Sequence, residues 1–212
     1  MRPVIQSRQL DAADPNGIAL DQQLGAAGDL TLNGAFVTAG VAQLDVQRQV
    51  EFESAGNISG TNFTVTGTDE QGRIISETIA GPNAGTAATS LDFITVTQIA
   101  ADAAFASDVE VGTNALGGSI PIPIDQGVTP TNIGLGVTGF VVAVDVTVQH
   151  TFDDIWSDNP SSLHTWFDHP TLVNVVANGD GNLAFPPRAV RLFTNSGIGT
   201  AELTLVQAGI GA

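Results

Sequence analysis

The stretch AQLDVQRQVEFE, residues 42–53, alternates between apolar and polar positions, and this alternation decides the fold class. Its even-numbered residues are apolar except for Arg48, and all of its odd-numbered residues are polar or charged. A period of two places successive side chains on opposite faces of an extended chain. The stretch therefore predicts a β-strand with one buried face and one wet face, and Arg48 lies on the buried face.

The same period recurs further along the chain. The stretch FVVAVDVTVQ, residues 140–149, has an apolar face of one phenylalanine and four valines, and a turn at Asp69–Gly72 joins two further strand-like runs. No segment sustains a helical period. We therefore predict an all-β protein, a β-sandwich of jelly-roll type. The residues expected to point inward are Leu44, Val46, Val50, Phe52, Phe140, Val142, Val144, Val146 and Val148.

The length of 212 residues suits one large all-β domain or two small ones. Residues 1–34 have irregularly spaced apolar positions and a turn at Asp14–Gly17, which indicates an extended N-terminal arm. Residues 35–212 are predicted to form the β-sandwich domain. If that domain is subdivided, the segment 113–136, which is rich in Gly and Pro, is where the division is expected.

The chain carries a formal net charge of −16, with six Arg and no Lys. Such acidity repels phosphate backbones and anionic lipids, so no specific nucleic acid and no membrane is expected as a partner. No apolar run approaches the roughly 18 residues of a membrane span, and the N-terminus lacks the apolar core of a signal peptide. The sequence thus predicts a protein that is neither membrane-spanning nor exported through a signal peptide.

Three arginines are candidate interaction residues. Arg2 and Arg8 lie in the predicted arm, where they could bind carboxylates of a neighbouring molecule. An unpaired charge on an apolar strand face is costly, so Arg48 is predicted to pair with an Asp or Glu of a neighbouring strand or subunit. The arm itself is expected to be mobile in isolation and ordered after assembly.

The densest polar chemistry lies in HTFDDIWSDNPSSLHTWFDHP, residues 150–170, which contains all three histidines and four aspartates. A metal site would need these groups to converge on one ion, but their spacing matches no paired-ligand pattern. A long loop anchored by aromatic residues, with aspartates capping its turns, is the favoured interpretation. Metal binding stays open here and at NGDGN, residues 178–182, where a hairpin turn is favoured over a calcium loop that lacks its closing Glu.

No nucleophile elbow or phosphate-binding loop occurs, and the chain has no Cys. We therefore expect no catalytic residue, no cofactor and no enzymatic activity.

Several stretches resemble a recurring segment of tailed-bacteriophage virion proteins. They are FTVTGTDEQGRIISETIAGPNAGT, FITVTQIAA and VEVGT, and later VTVQHTFDD and PRAVRLFTNSGIGTAELTLVQAG, which together cover about a third of the chain. The resemblance implies a β-sandwich particle protein that assembles into oligomers, and it brings no functional residues with it.

The function expected from this resemblance is structural. The first hypothesis is a capsid decoration (cement) protein that stabilises the phage head. It would contact the major capsid protein or other virion proteins, form a homo-oligomer, and be found in virions assembled in the host cytoplasm. A tail or head-to-tail connector component is the alternative. A carbohydrate-binding or depolymerising particle protein is an alternative of another class, weakened by the scarcity of aromatic residues.

Overall fold

The computed structural model describes residues 4–9 and 13–211, and most of these residues lie in β-strands. The strands are β1 (Val4–Gln9), β2 (Asp14–Leu24), β3 (Gly28–Asp29), β4 (Val37–Thr38), β5 (Val41–Asn57), β6 (Asn62–Thr68), β7 (Ile74–Ala80), β8 (Asn83–Ala101), β9 (Phe105–Gly118), β10 (Ile122–Pro123), β11 (Val128–Thr138), β12 (Val144–Thr151), β13 (Trp166–Asp168), β14 (Gly179–Leu183), β15 (Ala189–Gly197) and β16 (Thr200–Gly211). The helical structure in these residues is one 3-10 turn, Ser161–Leu163. The prediction of an all-β sandwich protein is confirmed, and the jelly-roll connectivity stays a prediction.

The chain divides into two compact units. Ala13–Asn114 form the N-terminal unit, and Ala115–Ala212 form the C-terminal unit together with the strand β1. The division lies inside the segment 113–136, which is rich in Gly and Pro. Within the predicted arm, residues 1–34, β1 pairs with β16 in the C-terminal unit, and β2 pairs with β9 in the N-terminal unit. These residues therefore lie in the sheets of both units.

The N-terminal unit is an antiparallel sheet in the order β9, β5, β8, β6, β7, extended by β2, β3 and β4. Three phenylalanine rings form the centre of its core. The ring centroids of Phe52 and Phe63 are 5.0 Å apart, and those of Phe63 and Phe105 are 5.4 Å apart. The other large buried side chains include Ile18, Val50, Val65, Phe93, Ile99, Val109 and Val111.

The strand β5 departs from strict alternation at its centre. Gln43 pairs with Thr95 and Arg48 pairs with Phe93, so five steps along β5 face two steps along β8. A bulge of this kind turns additional side chains toward one face. Gln47 was predicted on the wet face but is only 2% exposed, because this irregularity buries it beside Arg48.

The strands β6 and β7 form the predicted hairpin around the turn at Asp69–Gly72. The Asp69 carboxylate accepts hydrogen bonds from the backbone N–H groups of Gln71 and Arg73, both at 2.9 Å. Gly72 has φ +76°, a conformation that glycine adopts without strain. The turn residues thus explain where the chain reverses.

The C-terminal unit contains two sheets. One has the order β1, β16, β11, β14, and the other contains β13, β12 and β15, with β10 and the end of β9 also paired to β15. Buried residues of both sheets form a single core, so the unit is a two-sheet sandwich. Its core includes Ile122, Ile133, Leu135, Val137, Val144, Val146, Val148, Leu183, Val190, Leu192, Leu203 and Leu205.

One part of the predicted inward set is wrong. Val144, Val146 and Val148 are buried as expected and Phe140 packs, partly buried, against the core, but Val142 is 50% exposed. The reason is that β12 begins at Val144, and the preceding residues form a bend. The alternation therefore extends further along the sequence than the strand does in the structure.

Candidate functional site

The chemistry-rich segment of residues 150–170 follows directly from the end of β12. After an irregular loop, β13 pairs antiparallel with β12, and Phe167 lies opposite His150 and Trp166 opposite Thr151. Residues directly opposite each other in an antiparallel pair have neighbouring side chains. The return of β13 therefore places an aromatic ring beside the imidazole of His150.

Three phenylalanines surround this imidazole and form what we call the aromatic cluster, His150 with Phe152, Phe167 and Phe185. The His150 ring centroid lies 5.6 Å from that of Phe152, 5.7 Å from that of Phe167 and 5.4 Å from that of Phe185. Phe152 is also 6.0 Å from Phe167 and 5.8 Å from Phe185. These centroid distances are those of rings in direct contact.

The cluster is buried at its centre and open at its edge. His150 is 7% exposed, whereas Phe152, Phe167 and Phe185 are 54%, 47% and 42% exposed. Three large apolar rings therefore share contact with solvent at one place. Such concentrated exposure is typical of a surface that binds something.

The imidazole of His150 is held toward its neutral form because its pKa is lowered. Burial lowers its pKa first of all, the nearby His169 lowers it further, and the carboxylate of Asp168 opposes both effects. Its Nδ1 atom has no hydrogen-bond partner among the described residues. A neutral ring beneath three phenylalanines supports their packing and adds no charge.

The other two histidines have separate structural surroundings. The Nδ1 atom of His169 accepts hydrogen bonds from the N–H groups of Thr171 and Leu172, both at 3.2 Å, and its Nε2 atom lies 3.2 Å from the carbonyl oxygen of Asn182. The Nε2 atom of His164 lies 3.4 Å from the Ser157 hydroxyl. Within residues 4–9 and 13–211, no group of three or more His, Cys, Asp or Glu side chains could hold a metal ion.

Two of the four aspartates of this segment bind backbone N–H groups, and one of them, Asp154, caps a local turn as expected. Asp153 accepts from the N–H of Thr165 at 2.6 Å, and Asp154 accepts from that of Trp156 at 3.2 Å. The indole N–H of Trp166 donates to the carbonyl of Ser161 at 2.8 Å.

The segment NGDGN, residues 178–182, was expected to be a hairpin turn, and this expectation is wrong. Residues 179–183 form the strand β14, which pairs with β11 from Val137 to Ile133. The ladder with β11 decides the conformation here, although the residues themselves are typical of turns.

The three arginines named from the sequence lie in different surroundings. Arg48 is buried in the N-terminal unit and pairs with Asp45 of its own strand, so the expectation of a carboxylate partner holds but the expected neighbouring strand does not. Arg8 lies in β1, opposite Ala201 of β16. Arg2 lies outside the described residues.

An acidic groove on the N-terminal unit was not expected from the sequence. It encloses about 490 Å³, and its carboxylates are Asp21, Glu53, Asp108 and Glu110. Burial raises the pKa of Glu110, and Asp21 raises it further. The residues come from three strands, so their meeting depends on sheet register and leaves no local signal in the sequence.

Comparisons with protein-family models, with curated proteins and with solved structures found no match to this chain. No helix in the described residues is long and apolar enough to cross a membrane.

Proposed function

We propose that this protein is a structural component of a tailed-phage virion that acts through protein–protein contacts. Its most suitable place is the head surface, as a capsid decoration (cement) protein. The observation that supports this best is the aromatic cluster, in which Phe152, Phe167 and Phe185 are each about half exposed on a two-sheet sandwich. The resemblance of several stretches to phage virion proteins supplies the setting.

An exposed aromatic cluster suits a contact role for a physical reason. The cores of protein interfaces are enriched in aromatic residues, and a few such side chains carry most of the binding free energy. Two members of the cluster lie on paired strands, Phe167 in β13 and His150 in β12, and Phe152 and Phe185 lie in the irregular segments beside the strands. A partner can therefore bind Phe167 without a large loss of conformational entropy in the chain.

The charge of the chain supports a place on the outside of the head. A net charge of −16 repels packaged DNA and keeps a surface protein soluble at high local concentration. The partners in this proposal are the major capsid protein or other virion proteins, and further copies of the chain in a homo-oligomer.

A second candidate function is carbohydrate binding by a particle protein. Trp156, on the same segment as the aromatic cluster, is 70% exposed, and sugar rings stack on exposed aromatic faces. This candidate needs the indole of Trp156 to act as the platform.

The proposal is tested by locating and counting the protein in purified phage particles. We expect quantitative mass spectrometry to find it in hundreds of copies per head, and we expect purified protein to bind heads that lack it. About six or twelve copies at one vertex would place it in the connector or tail instead. Absence from particles, or Trp156-dependent binding to a polysaccharide without binding to heads, would overturn the structural role.

A further inference from the structure

We propose that the aromatic cluster binds a cationic segment of a partner protein, with an arginine or lysine side chain lying over its phenylalanine rings. This inference rests on the proposed contact function and specifies the chemistry of the partner. The site consists of Phe152, Phe167 and Phe185 around the buried His150.

The first argument is the solvent-exposed surface of the phenylalanine rings. The faces of aromatic rings carry partial negative charge and attract cations within about 6 Å of the ring centre. In the described residues, Arg191 is the cation found over rings, with its guanidinium carbon 4.1 Å from the Trp166 ring centre and 5.2 Å from that of Phe193. Trp166 is adjacent to Phe167 on β13, so one residue of this strand already stacks with a guanidinium, and the next is 47% exposed beside His150.

The second argument is charge complementarity. Asp153 and Asp154 directly follow Phe152, and Asp168 directly follows Phe167. The charge of Asp168 is close enough to act on His150. Two cations lie nearby, the exposed Arg188 three residues after Phe185 and the buried Arg191 against Trp166, and three carboxylates outweigh them. A cationic side chain would thus find exposed phenylalanine rings for its charged group in surroundings of net negative charge.

The third argument separates this partner from a second copy of the chain. Each copy carries a net charge of −16, and two such bodies repel each other at any contact that does not neutralise charge. A basic segment gains attraction from the same charge. The electrostatics therefore favour a basic partner on this surface over self-association.

The test uses the full chain and a synthetic twelve-residue peptide that alternates Arg and Leu, in about 0.15 M salt to screen distant charges. Its counterpart carries citrulline, the neutral isostere of arginine, at every Arg position. Calorimetry should show that the Arg peptide binds and that the citrulline peptide binds about tenfold more weakly. Phe152→Ala and Phe185→Ala should each weaken binding of the Arg peptide about fivefold, the size of one cation–π contact of about 1 kcal/mol.

The matched control is Ile74→Ala, which removes an 81% exposed side chain from the N-terminal unit and should leave binding unchanged. None of these substitutions changes the net charge, so the general attraction of an acidic body for a basic peptide is the same in all of them. Phe185→Leu guards against a folding defect, since it keeps apolar volume, and circular dichroism should be unchanged while binding still falls.

Four results would overturn the inference. Equal binding by the phenylalanine variants and the parent would show attraction to the whole acidic surface, and equal binding of the citrulline peptide would show an apolar surface only. Sedimentation that detects self-association lost in Phe185→Ala would assign the cluster to a second copy, and competition by a polysaccharide would assign it to a sugar. Each result is independent of whether the protein is found in particles, so failure of this inference is distinguishable from failure of the structural role.

Discussion

Asp45 and Arg48 form a two-pronged ion pair within one β-strand, with Arg48 Nε 2.7 Å from Asp45 Oδ1 and Nη2 2.9 Å from Oδ2. In a regular strand, residues three positions apart point to opposite faces. They meet here because β5 bulges between Gln43 and Arg48. The guanidinium also donates from Nη1 to the carbonyl of Asn114 at 3.0 Å, so it joins β5 to β9 within the N-terminal unit.

The Arg48–Asp45 pair should be a major contributor to the stability of the N-terminal unit. Arg48 is fully buried, and Arg48→Met would remove its hydrogen bonds to the Asp45 carboxylate and to the Asn114 carbonyl. Breaking a buried ion pair costs about 3–5 kcal/mol. We expect a loss of this size in the free energy of unfolding, measured by denaturant titration.

The control is Arg73→Met, because the Arg73 side chain is 25% exposed in its pair with Asp69. Its loss should cost clearly less than that of Arg48. The double variant Asp45→Asn/Arg48→Met should lose less unfolding free energy than the sum of the losses in the two single variants. Full additivity would mean that the two side chains stabilise the unit independently of each other.

Glu110 should destabilise the N-terminal unit at neutral pH. Burial and the charge of Asp21 raise its pKa, so the folded state binds its proton more tightly than the unfolded state does. The stability of the unit should therefore rise as the pH falls through the raised pKa of Glu110. Glu110→Gln should stabilise the unit at pH 7 by about 0.5 kcal/mol, the scale of solvent-screened charge interactions, measured by thermal unfolding.

The matched control for Glu110→Gln is Glu77→Gln, which makes the same change in net charge. Glu77 accepts hydrogen bonds from the backbone N–H groups of Ser90 and Leu91 at 2.9 and 2.7 Å. Its neutralisation should lower stability instead. The same sign for both variants would show that net charge alone governs the response.

His150 should make the C-terminal unit sensitive to mild acid. Its pKa in the folded state lies below the ordinary value of 6.5, mainly because it is buried, so protons bind more readily to the unfolded chain. This contribution to stability is complete above pH 6.5 and is lost as the pH falls through the lower folded pKa. Unfolding midpoints measured at a series of pH values should decline over this range.

His150→Phe removes the titrating group and keeps an aromatic ring in the cluster. The acid-induced decline should become shallower in this variant, with the charges of Asp168 and His169 unchanged. An identical decline in the variant and the parent would assign the acid sensitivity to other groups.

Truncation should distinguish what β1 and β2 each contribute to the stability of the two units. Deleting residues 1–12 removes β1, the edge partner of β16, and should weaken the C-terminal unit alone. Deleting residues 1–24 also removes β2, whose Ile18 and Ala19 are fully buried in the core of the N-terminal unit. Losing a large buried side chain typically costs 2–5 kcal/mol. We therefore expect the longer deletion to unfold that unit.

Hydrogen exchange resolved along the chain should increase in the C-terminal unit after the shorter deletion. It should increase in the N-terminal unit as well after the longer deletion. If the N-terminal unit stayed folded in the longer deletion, β2 would not be required for its folding. Increased exchange in the N-terminal unit after the shorter deletion would contradict the assignment of β1 to the C-terminal unit.

The candidate site was only partly predictable from the sequence. The segment of residues 150–170 was predicted to be a long loop, and its Asp154 caps a turn through a short-range hydrogen bond that leaves a local pattern. The meeting of three phenylalanines around His150 was not predictable. Phe185 lies 33 residues after Phe152 in the sequence, and the two rings meet only because β15 pairs with β12.

The sequence by itself determined that the protein is all-β and where its main hairpin turns. Alternation and turn residues act between neighbours in the chain, so residues 42–53 and Asp69–Gly72 specify their conformation locally. Only the tertiary structure decided that Arg48 pairs within its own strand, that Gln47 is buried and that three phenylalanines meet around His150. These features depend on bulges and on the register between strands, and one step of register moves every side chain of a strand to the opposite face.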